Sequence, residues 1–572
     1  MTRKLSPACK RTYLLFVALL FVIRPLHAEV KLPAIFGDHM VLQQDIKVPV
    51  WGTAEPGEKV TVIVGDHAGA ATADGEGRWR IDLPPFAPNP QRLIMTVMGK
   101  NLIRLEDVLI GDVWVASGQS NMEYPLQGAH NFKDVAEYLN DDQLRIFMVD
   151  HAYALEPDSD VKGHWEIGSR ETLAKCSAVA CFFARELRGS LNRPIGLIDS
   201  SFGGTVAQSW TSISGLQKDP PFNNYLDAHR KIVADFAAAS AGYGDRKAAY
   251  DKIRAAWEAK DGVEIMRRWA VWSKQAQENR IAGKPVPPDP QPEVPCPQQP
   301  IEPLGGENAP GNLYNGMIAP LIPFAIKGVI WYQGEYNAGN AVEYRTLFPR
   351  LIGDWREKWG EGTFPFLFVQ LAALAERGLV GGGDWPLLQE AQFMTLSVPN
   401  TGMATAIDIG DPNNVHPADK MDVGVRLSLL ARHRVYGQNV VDTGPVFDTM
   451  SISGNTARIS FSATGSGLVI GKAPWTAEDA YPIPTDKLVG FEIAGADQKF
   501  FVADARIEGN TVVVSSTQVP NPVAVRYDFA NLTTANLYNK EGLPAFPFRT
   551  DKWDNVNSPA IAPRMMPPKA GP

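Results

Sequence analysis

A short apolar segment that ends in a glycine- and serine-rich turn constrains the fold more than any other part of the chain. Residues Asp112–Ala116 (DVWVA) are apolar and β-prone, and Ser117–Asn121 (SGQSN) end this strand and can begin a helix. Ser120 therefore falls at the carboxyl end of a strand, the edge at which open α/β sheets bind ligands. A hydroxyl there lies near helix N-terminal amides, which favour developing negative charge. A capping serine in an ordinary turn is the alternative interpretation.

The composition is that of a globular protein, with 45% hydrophobic and 21% charged residues. A chain of 572 residues is too long for one ordinary hydrophobic core, so we expect two to four domains. The net charge is -8 at pH 7. Because phosphate contacts require a basic face, this charge argues against a nucleic-acid partner.

The N-terminus has the order of a secretory signal. Basic residues precede the apolar run Tyr13–Ile23, which is followed by the small-residue site Leu26–Ala28. The apolar run is too short to span a bilayer comfortably. We therefore predict a signal peptide over residues 1–28 and a periplasmic or secreted protein, with no integral membrane segment after the signal is removed.

The cysteines do not predict a disulfide framework. Cys9 leaves with the signal peptide, and the odd number that remains, Cys176, Cys181 and Cys296, leaves at least one thiol unpaired. Cys176 and Cys181 are five positions apart in or beside a predicted helix, so we interpret them as small core residues. The chain has no CxxC or HExxH motif, and we predict neither a metal nor a cofactor.

The pattern of strands and helices changes near residue 105. Residues 29–104 consist of short alternating strands between turns, which predicts an N-terminal β-sandwich domain. From residue 105 to residue 436 strands alternate with helices, the pattern of a parallel α/β sheet. We expect this second part to be the catalytic domain.

Three other segments complete the predicted organisation. Residues 217–306 interrupt the α/β pattern with three helices and a proline-rich stretch, which predicts a helical insertion. The insertion is either a lid over the site or a structural excursion. Short strands return over residues 437–550, which predicts a C-terminal β-domain, and residues 551–572 form a loose tail.

Three more polar turns follow predicted strands of the α/β part. They are Ser200–Thr205 (SSFGGT), Gln333–Asn337 (QGEYN) and Gly410–Pro417 (GDPNNVHP). The carboxyl ends of parallel strands meet at one edge of a sheet. A serine nucleophile needs a base, and its tetrahedral intermediate needs hydrogen-bond donors. The sequence therefore favours Ser120 as a nucleophile with His416 as its base. The alternative is that each turn has only a structural role.

These motifs, in chain order, resemble the four blocks of the SGNH hydrolases. More narrowly, the phrases SGQSNMEYPL, WYQGE and DPNNVHP resemble those of sialate O-acetylesterases and related bacterial carbohydrate acetylesterases. The likeness extends from about Leu32 to Asp551. It implies a flavodoxin-like three-layer catalytic domain with a parallel sheet, flanked by the two β-domains.

The resemblance also implies roles for individual residues. Ser120 is the expected nucleophile and His416 the general base. The expected oxyanion hole consists of the Ser120 and Gly204 backbone N–H groups and the Asn337 side-chain amide. Four loop residues are candidate substrate-binding groups: Gln119, Trp210, Gln333 and Glu335. Purely structural roles for Trp210 and Glu335 are equal alternatives.

Two positions depart from the family pattern. Many SGNH enzymes have an aspartate three residues before the histidine, where this chain has Asn413. Asp411, or less favourably Asp408, is the candidate for orienting His416; otherwise the enzyme works as a Ser–His dyad. Gln389 stands where relatives commonly have arginine, so substrate contacts are not transferred directly.

Together these features predict an exported, metal-independent carbohydrate O-acetylesterase with an acetylated carbohydrate as its substrate. Acetylated sialic acid is the primary expectation, and the acetylated side chains of xyloglucan or xylan are the alternative. A carbohydrate-binding protein without catalysis is the alternative from a different functional class.

Overall fold

The computed structural model describes most of the chain after the predicted signal peptide. The described residues are 29–136, 140–281, 285, 287–288, 290–374, 385–411, 414–472, 486–532 and 535–553. The predicted signal peptide, most of the predicted tail and Asn413 lie outside these ranges.

Six strands form the N-terminal β-region: β1 (Val41–Gln43), β2 (Val48–Thr53), β3 (Lys59–Val64), β4 (His67–Thr72), β5 (Arg78–Leu83) and β6 (Asn89–Met98). β2 pairs with β5, and β3 pairs with β4 and β6, all antiparallel. Buried and exposed side chains alternate along β5, as expected for a strand with one face on a core. The strands predicted in this region are present.

A mostly parallel sheet forms the centre of the molecule. Its strands are β7 (Leu102–Gly118), β8 (Asp141–Met148), β9 (Trp165–Gly168), β10 (Ile195–Ser201), β11 (Gly328–Tyr332), β12 (Phe366–Gln370) and β13 (Thr401–Thr405). Their spatial order is β13-β12-β11-β7-β10-β8-β9, and β9 is the antiparallel edge strand. The strand order reverses next to β7, which makes this edge of the sheet the expected place for a ligand.

β7 belongs to both the N-terminal β-region and the central parallel sheet. Its first six residues are half-buried or exposed in alternation and its last eleven are buried. The first part pairs antiparallel with β6, whereas the second part lies between β10 and β11. The predicted boundary at residue 104 therefore falls inside one continuous strand, and the division into domains stays a prediction.

Eleven α-helices surround this sheet in the described residues: α1 (Ser120–Glu123), α2 (Phe132–Val135), α3 (Arg170–Leu173), α4 (Ala178–Leu191), α5 (Ile213–Leu216), α6 (Asn223–Ser240), α7 (Tyr243–Trp257), α8 (Val263–Ile281), α9 (Ala341–Trp359), α10 (Trp385–Met394) and α11 (Met421–Arg434). Within these ranges, none of the helices combines the length and apolar character needed to cross a membrane.

Helices cover both faces of the sheet. Phe183 on α4 packs edge-on against Trp114 of β7, with ring centroids 5.0 Å apart. Trp355 on α9 packs against Trp331 of β11 at 5.8 Å. Because Trp331 is in register with Ser117, three positions from Trp114, the two tryptophans point to opposite faces. Burial of such large aromatic side chains on both sides explains why the strands are apolar throughout.

The helical insertion is formed by α6, α7 and α8. Its proline-rich segment packs back on the helices, because Trp257 donates a hydrogen bond to the Val294 carbonyl at 2.8 Å and Trp272 donates to the Pro287 carbonyl at 2.9 Å. None of the side chains of α7 is buried. The three helices predicted for the insertion are present.

The C-terminal β-region contains ten strands: β14 (Val446–Ser453), β15 (Thr456–Ser462), β16 (Leu468–Ile470), β17 (Phe491–Ala494), β18 (Phe500–Val502), β19 (Asp504–Glu508), β20 (Thr511–Ser515), β21 (Ala524–Tyr527), β22 (Leu537–Asn539) and β23 (Phe548–Arg549). They form antiparallel sheets around a separate hydrophobic core. Arg549 contacts Glu390 of α10 at 2.7 Å and so connects this region to the α/β part.

The three cysteines of the described chain are free thiols. Cys176 and Cys181 are buried, whereas Cys296 is exposed.

We expect Gly118→Ala to destabilise the protein, because a Cβ at residue 118 would lie 2.2 Å from the Tyr332 carbonyl oxygen and the backbone φ there is +137°. The overlap and the unfavourable backbone together should cost about 2–4 kcal/mol. The matched control is Gly353→Ala in α9, where a Cβ would meet open space. Helix propensity predicts that the control is about 0.5–1 kcal/mol more stable than wild type. Equal melting temperatures for the two variants would contradict this account.

Candidate active site

Ser120 occupies the turn between β7 and α1. The Gln119 side-chain oxygen accepts hydrogen bonds from the backbone N–H groups of Gly334 at 3.2 Å and Tyr336 at 3.4 Å. The Gln119 backbone N–H donates to the Tyr332 carbonyl at 3.0 Å. These contacts join the serine turn to the loop that follows β11, so the position of the hydroxyl is determined by two neighbouring strands.

His416 lies against this serine. Its Nε2 atom is 2.8 Å from Oγ of Ser120, which is hydrogen-bond distance. Burial lowers the pKa of the imidazole, and the Lys420 ammonium lowers it further, while the Glu123 carboxylate acts in the opposite direction. A neutral imidazole with Nε2 unprotonated can accept the serine proton.

The two predicted aspartates make other contacts in the described part of the site. Asp408 binds the Arg426 guanidinium at 2.7 and 2.8 Å and accepts a hydrogen bond from Tyr538 at 3.0 Å. Asp411 is part of the turn before the histidine, where the Asn414 N–H donates to its backbone carbonyl at 3.2 Å. Among the described residues, no side chain accepts a hydrogen bond from Nδ1 of His416. The orientation of His416 by Asp411 therefore stays a prediction.

The glycine turn after β10 lies beside Ser120. A Cβ at Gly203 would be 3.3 Å from the Ser120 Cβ, so a side chain there would press on the serine. The Gly203 N–H donates to Oε2 of Glu123 at 2.6 Å. Gly204 has a φ of +72°, in the left-handed region that favours glycine. The turn thus lies directly beside the serine.

The Asn337 side chain has a fixed orientation. Its Oδ1 accepts from the Ala207 N–H at 2.9 Å and from Nε2 of Gln333 at 2.7 Å. Its Nδ2 donates one proton to Oε1 of Gln208 at 3.0 Å. The other Nδ2 proton has no acceptor among the described residues, so it is available to an oxygen of a bound molecule.

All four candidate substrate-binding residues are buried. The indole of Trp210 donates to Oγ1 of Thr205 at 3.0 Å. Gln333 donates to the Thr205 carbonyl at 3.1 Å. Oε1 of Glu335 accepts from Asn121. These contacts, with those of Gln119, connect the loops of the site to one another. Direct contact of the four residues with a substrate stays a prediction.

Four residues at the rim of the site had no role in the sequence-based prediction. Nε2 of His151 is 2.9 Å from Oε1 of Glu123, and the His151 ring stacks on Phe202 with centroids 3.8 Å apart. Tyr336 is 45% exposed, and its hydroxyl lies 3.6 Å from the position of a Cβ at Gly204. Only Glu123 carried a sequence signal, because it follows Ser120 by one helical turn.

Among the described residues, no group of three or more His, Cys, Asp or Glu side chains is arranged to hold a metal ion.

Comparison with known proteins identifies the family to which the chain belongs. The model of the family described as carbohydrate esterase, sialic acid-specific acetylesterase, matches residues 110–241 and 306–429. A sialate O-acetylesterase from Rattus norvegicus is 30% identical over 450 residues, which cover 72% of this chain and 74% of the rat protein. The chain belongs to the sialic acid-specific acetylesterase family of carbohydrate esterases. The resemblance predicted from the motifs is thereby confirmed.

Other members of the acetylesterase family extend the likeness. A sialate O-acetylesterase from Mus musculus is 29% identical over 447 residues, 72% of this chain and 74% of the mouse protein. The crystal structure of a carbohydrate acetylesterase from Xanthomonas citri is 34% identical, with a TM-score of 0.71, and covers 92% of this chain and 100% of that chain.

The two segments matched by the acetylesterase family contain Ser120, Gly204, Asn337 and His416. The gap between the segments covers α7, α8 and the proline-rich stretch of the insertion. The candidate catalytic groups therefore belong to the shared part of the family, whereas most of the insertion lies outside it.

We expect the Glu123–His151 pair to contribute stability that depends on pH. The hydrogen bond to Glu123 raises the pKa of His151 above its ordinary value of 6.5. A raised pKa stabilises the folded state below the unfolded value, and this stabilisation disappears as the pH rises through the folded value. Glu123→Gln keeps an oxygen for the Gly203 N–H but removes the charge. Its loss of stability, under about 1 kcal/mol because solvent screens the pair, should be larger at acidic than at alkaline pH.

Melting temperatures of wild type and Glu123→Gln, measured from acidic to alkaline pH, test the expectation. A difference between the two proteins that does not change with pH would contradict it.

Proposed function

We propose that the protein is a carbohydrate O-acetylesterase of the SGNH type that removes acetyl groups from sialic acid through a Ser–His acyl-enzyme mechanism. The observation that carries the proposal is the 2.8 Å contact between Oγ of Ser120 and Nε2 of His416. The contact places an imidazole within hydrogen-bond reach of a serine hydroxyl, which is the arrangement of a nucleophile beside its general base. A carbohydrate-binding protein without catalysis would have no need of it.

The first half of the proposed reaction transfers the acetyl group to the enzyme. His416 takes the Ser120 proton at Nε2 while Oγ attacks the ester carbonyl and forms a tetrahedral intermediate. The oxyanion is held by the Ser120 and Gly204 N–H groups and by the free Nδ2 proton of Asn337, each worth roughly 3 kcal/mol in the transition state. When the carbon–oxygen bond to the sugar breaks, His416 returns its proton to the sugar oxygen.

The second half releases acetate. His416 removes a proton from water, whose oxygen attacks the acetyl-serine carbonyl. The bond to Oγ then breaks, and His416 gives the proton back to the serine. Proton, acyl group and hydroxide are thereby balanced, and Ser120 is regenerated.

We further propose that a dyad performs this chemistry without an aspartate. The proposal rests on the direct contact of His416 with Ser120 and on the pairing of Asp408 with the Arg426 guanidinium, which engages that carboxylate elsewhere. Burial lowers the pKa of the imidazole, which favours its neutral form, and the His416 backbone N–H donates to Oδ1 of Asn414 at 3.0 Å, which helps to hold the loop.

Acetylated sialic acid is the proposed substrate because the mammalian relatives are sialate O-acetylesterases. The rim of the site offers surfaces for a sugar ring, namely the exposed Tyr336 ring and the stacked pair of His151 and Phe202. Export, as expected from the signal sequence, would bring the enzyme to extracellular glycans.

Ser120→Ala and His416→Ala should each lower kcat for acetate release by a thousandfold or more, on the order of what nucleophile and base variants lose in serine hydrolases. Asp411→Asn should lose less than about tenfold, because a dyad makes no use of its carboxylate. Acetate release is measured from O-acetylated sialic acid and from acetylated xyloglucan and xylan oligosaccharides. Wild-type rates from Ser120→Ala would favour the binding-protein alternative, and equal losses in Asp411→Asn and His416→Ala would exclude the dyad.

Tyr336→Ala should raise KM for O-acetylated sialic acid several-fold, because the sugar loses a ring on which to stack. The same variant should hydrolyse ethyl acetate, which has no sugar ring, at the wild-type rate. Tyr336→Phe keeps the ring and is the matched control, with KM close to wild type for both esters. A parallel loss on both esters in Tyr336→Ala would show that the ring serves the loop and not the sugar.

A further inference from the structure

A buried polar network lies directly beneath the serine–histidine pair. Its centre is Asn121, the residue after Ser120, which is 1% exposed. Its Nδ2 donates to Oε1 of Glu335 and, at 2.9 Å, to the carbonyl of Val415, the residue before His416. Its Oδ1 accepts from the ammonium group of Lys420. One amide therefore touches all three loops that carry the candidate nucleophile, oxyanion donor and base.

The chemistry of the neighbours determines the orientation of this amide. An ammonium group can only donate hydrogen bonds, and the Val415 carbonyl can only accept them. A flipped amide would place its NH₂ group against Lys420 and its oxygen against Val415 and Glu335. The observed orientation is thus the one that satisfies every partner, with both Nδ2 protons donated and the Oδ1 oxygen accepting.

Lys420 is a charged side chain with no access to solvent. It is 0% exposed, and its Nζ lies 5.0 Å from the centroid of the Tyr124 ring and 5.6 Å from that of Tyr332. Burial lowers the pKa of Lys420 to about 7, while the neighbouring carboxylates of Glu335 and Asp419 act in the opposite direction. Such a position is costly unless the charge is hydrogen-bonded and compensated by opposite charge.

Glu335 is a similarly unusual group. It is 3% exposed, and its Oε2 has no hydrogen-bond partner among the described residues. Burial raises its pKa, and Asn121 and Lys420 act to lower it. The Glu335 carboxylate and the Lys420 ammonium are thus connected through the amide of Asn121, which is the residue next to Ser120.

We propose that Asn121 and Lys420 are positioning residues: their network with Glu335 holds the His416 loop against the Ser120 turn and places a positive charge beneath the imidazole. This inference rests on the proposed function, because it gives the network a role in the Ser–His reaction. Asn121 acts through the Val415 carbonyl, which fixes the backbone next to His416. Lys420 acts through its charge, which disfavours the imidazolium form and leaves Nε2 free to accept the serine proton.

The sign of the charge effect follows from the groups around His416. Lys420, at the start of α11, disfavours the imidazolium; Glu123, on α1, favours it and is itself paired with His151. Around Lys420 lie Glu335 and Asp419, and Asp419 in turn faces Asp422 and Arg426. Removing the ammonium leaves Glu123 as the charged group that acts on the imidazole, so the pKa of His416 should rise.

Lys420→Met tests this directly, because it removes the charge and keeps most of the volume. The acidic limb of kcat/KM against pH should move upward by roughly half a pH unit or more. The control is Lys59→Met, on the exposed face of β3 and far from the site, which should keep the wild-type limb. An unchanged limb in folded Lys420→Met would overturn the role of the charge.

Asn121→Asp tests the positioning role. The new oxygen faces the Val415 carbonyl and Glu335 without a proton to donate, so kcat should fall at least tenfold, an effect on the order of one lost positioning contact, with KM little changed. A fall confined to KM would contradict the inference.

A measurement on the wild-type protein covers the case in which both variants fail to fold. Nitrogen-15 NMR titration of the histidines, with the His416 signal assigned by its absence in His416→Gln, should give a pKa below 6.5 for His416. A value at or above 6.5 would overturn the inference.

Failure of the proposed function gives a different result. In that case wild type itself releases no acetate, whereas failure of this inference leaves wild-type activity intact and the acidic limb of Lys420→Met unmoved.

Discussion

The parallel pairing of β7 with β10 on one side and β11 on the other determines where every candidate catalytic group except His416 lies. The register aligns Ser201 and Tyr332 with Gly118, so the turns that follow the three strands start at the same level of the sheet. Because Gly118 has no side chain, β7 can approach the Tyr332 carbonyl closely. The serine turn, the glycine turn and the asparagine loop then converge without any further element, and only the histidine must come from a more distant strand.

The histidine loop reaches the site by packing and electrostatics rather than by strand register. It follows β13, at the far edge of the sheet, and returns to Ser120 over two intervening strands. The Val415 carbonyl is bound by Asn121, and Asp408, at the start of the loop, is bound by Arg426 of α11 and by Tyr538 of the C-terminal β-region. The C-terminal region is therefore connected to the active-site loop through the hydrogen bond from Tyr538 to Asp408, a carboxylate that is also paired with Arg426. Family membership and this geometry support one another, since both segments that match the acetylesterase family are needed to build the pair.

Local sequence patterns predicted much of this arrangement, because apolar runs that end in polar turns are sufficient to place Ser120, Gly204, Asn337 and His416 at strand ends. They did not reveal that β7 runs unbroken through two regions, since strand length across a change of burial depends on distant partners. The buried positions of Gln119 and Gln333 were also hidden, because a loop glutamine looks the same in a sequence whether it faces substrate or braces a neighbouring loop. The relation of His151 to Glu123 and of Asp408 to Arg426 depends on long-range packing, which has no local signature.

The central claim is that Ser120 carries the acetyl group during turnover. Rapid acid quenching of the enzyme with O-acetylated sialic acid, followed by mass spectrometry of its peptides, tests this claim most directly. The account predicts a peptide that contains Ser120 and is heavier by one acetyl group, absent when Ser120 is replaced by alanine. Steady release of acetate with no acetylated peptide, or with the label on a residue other than Ser120, would contradict it.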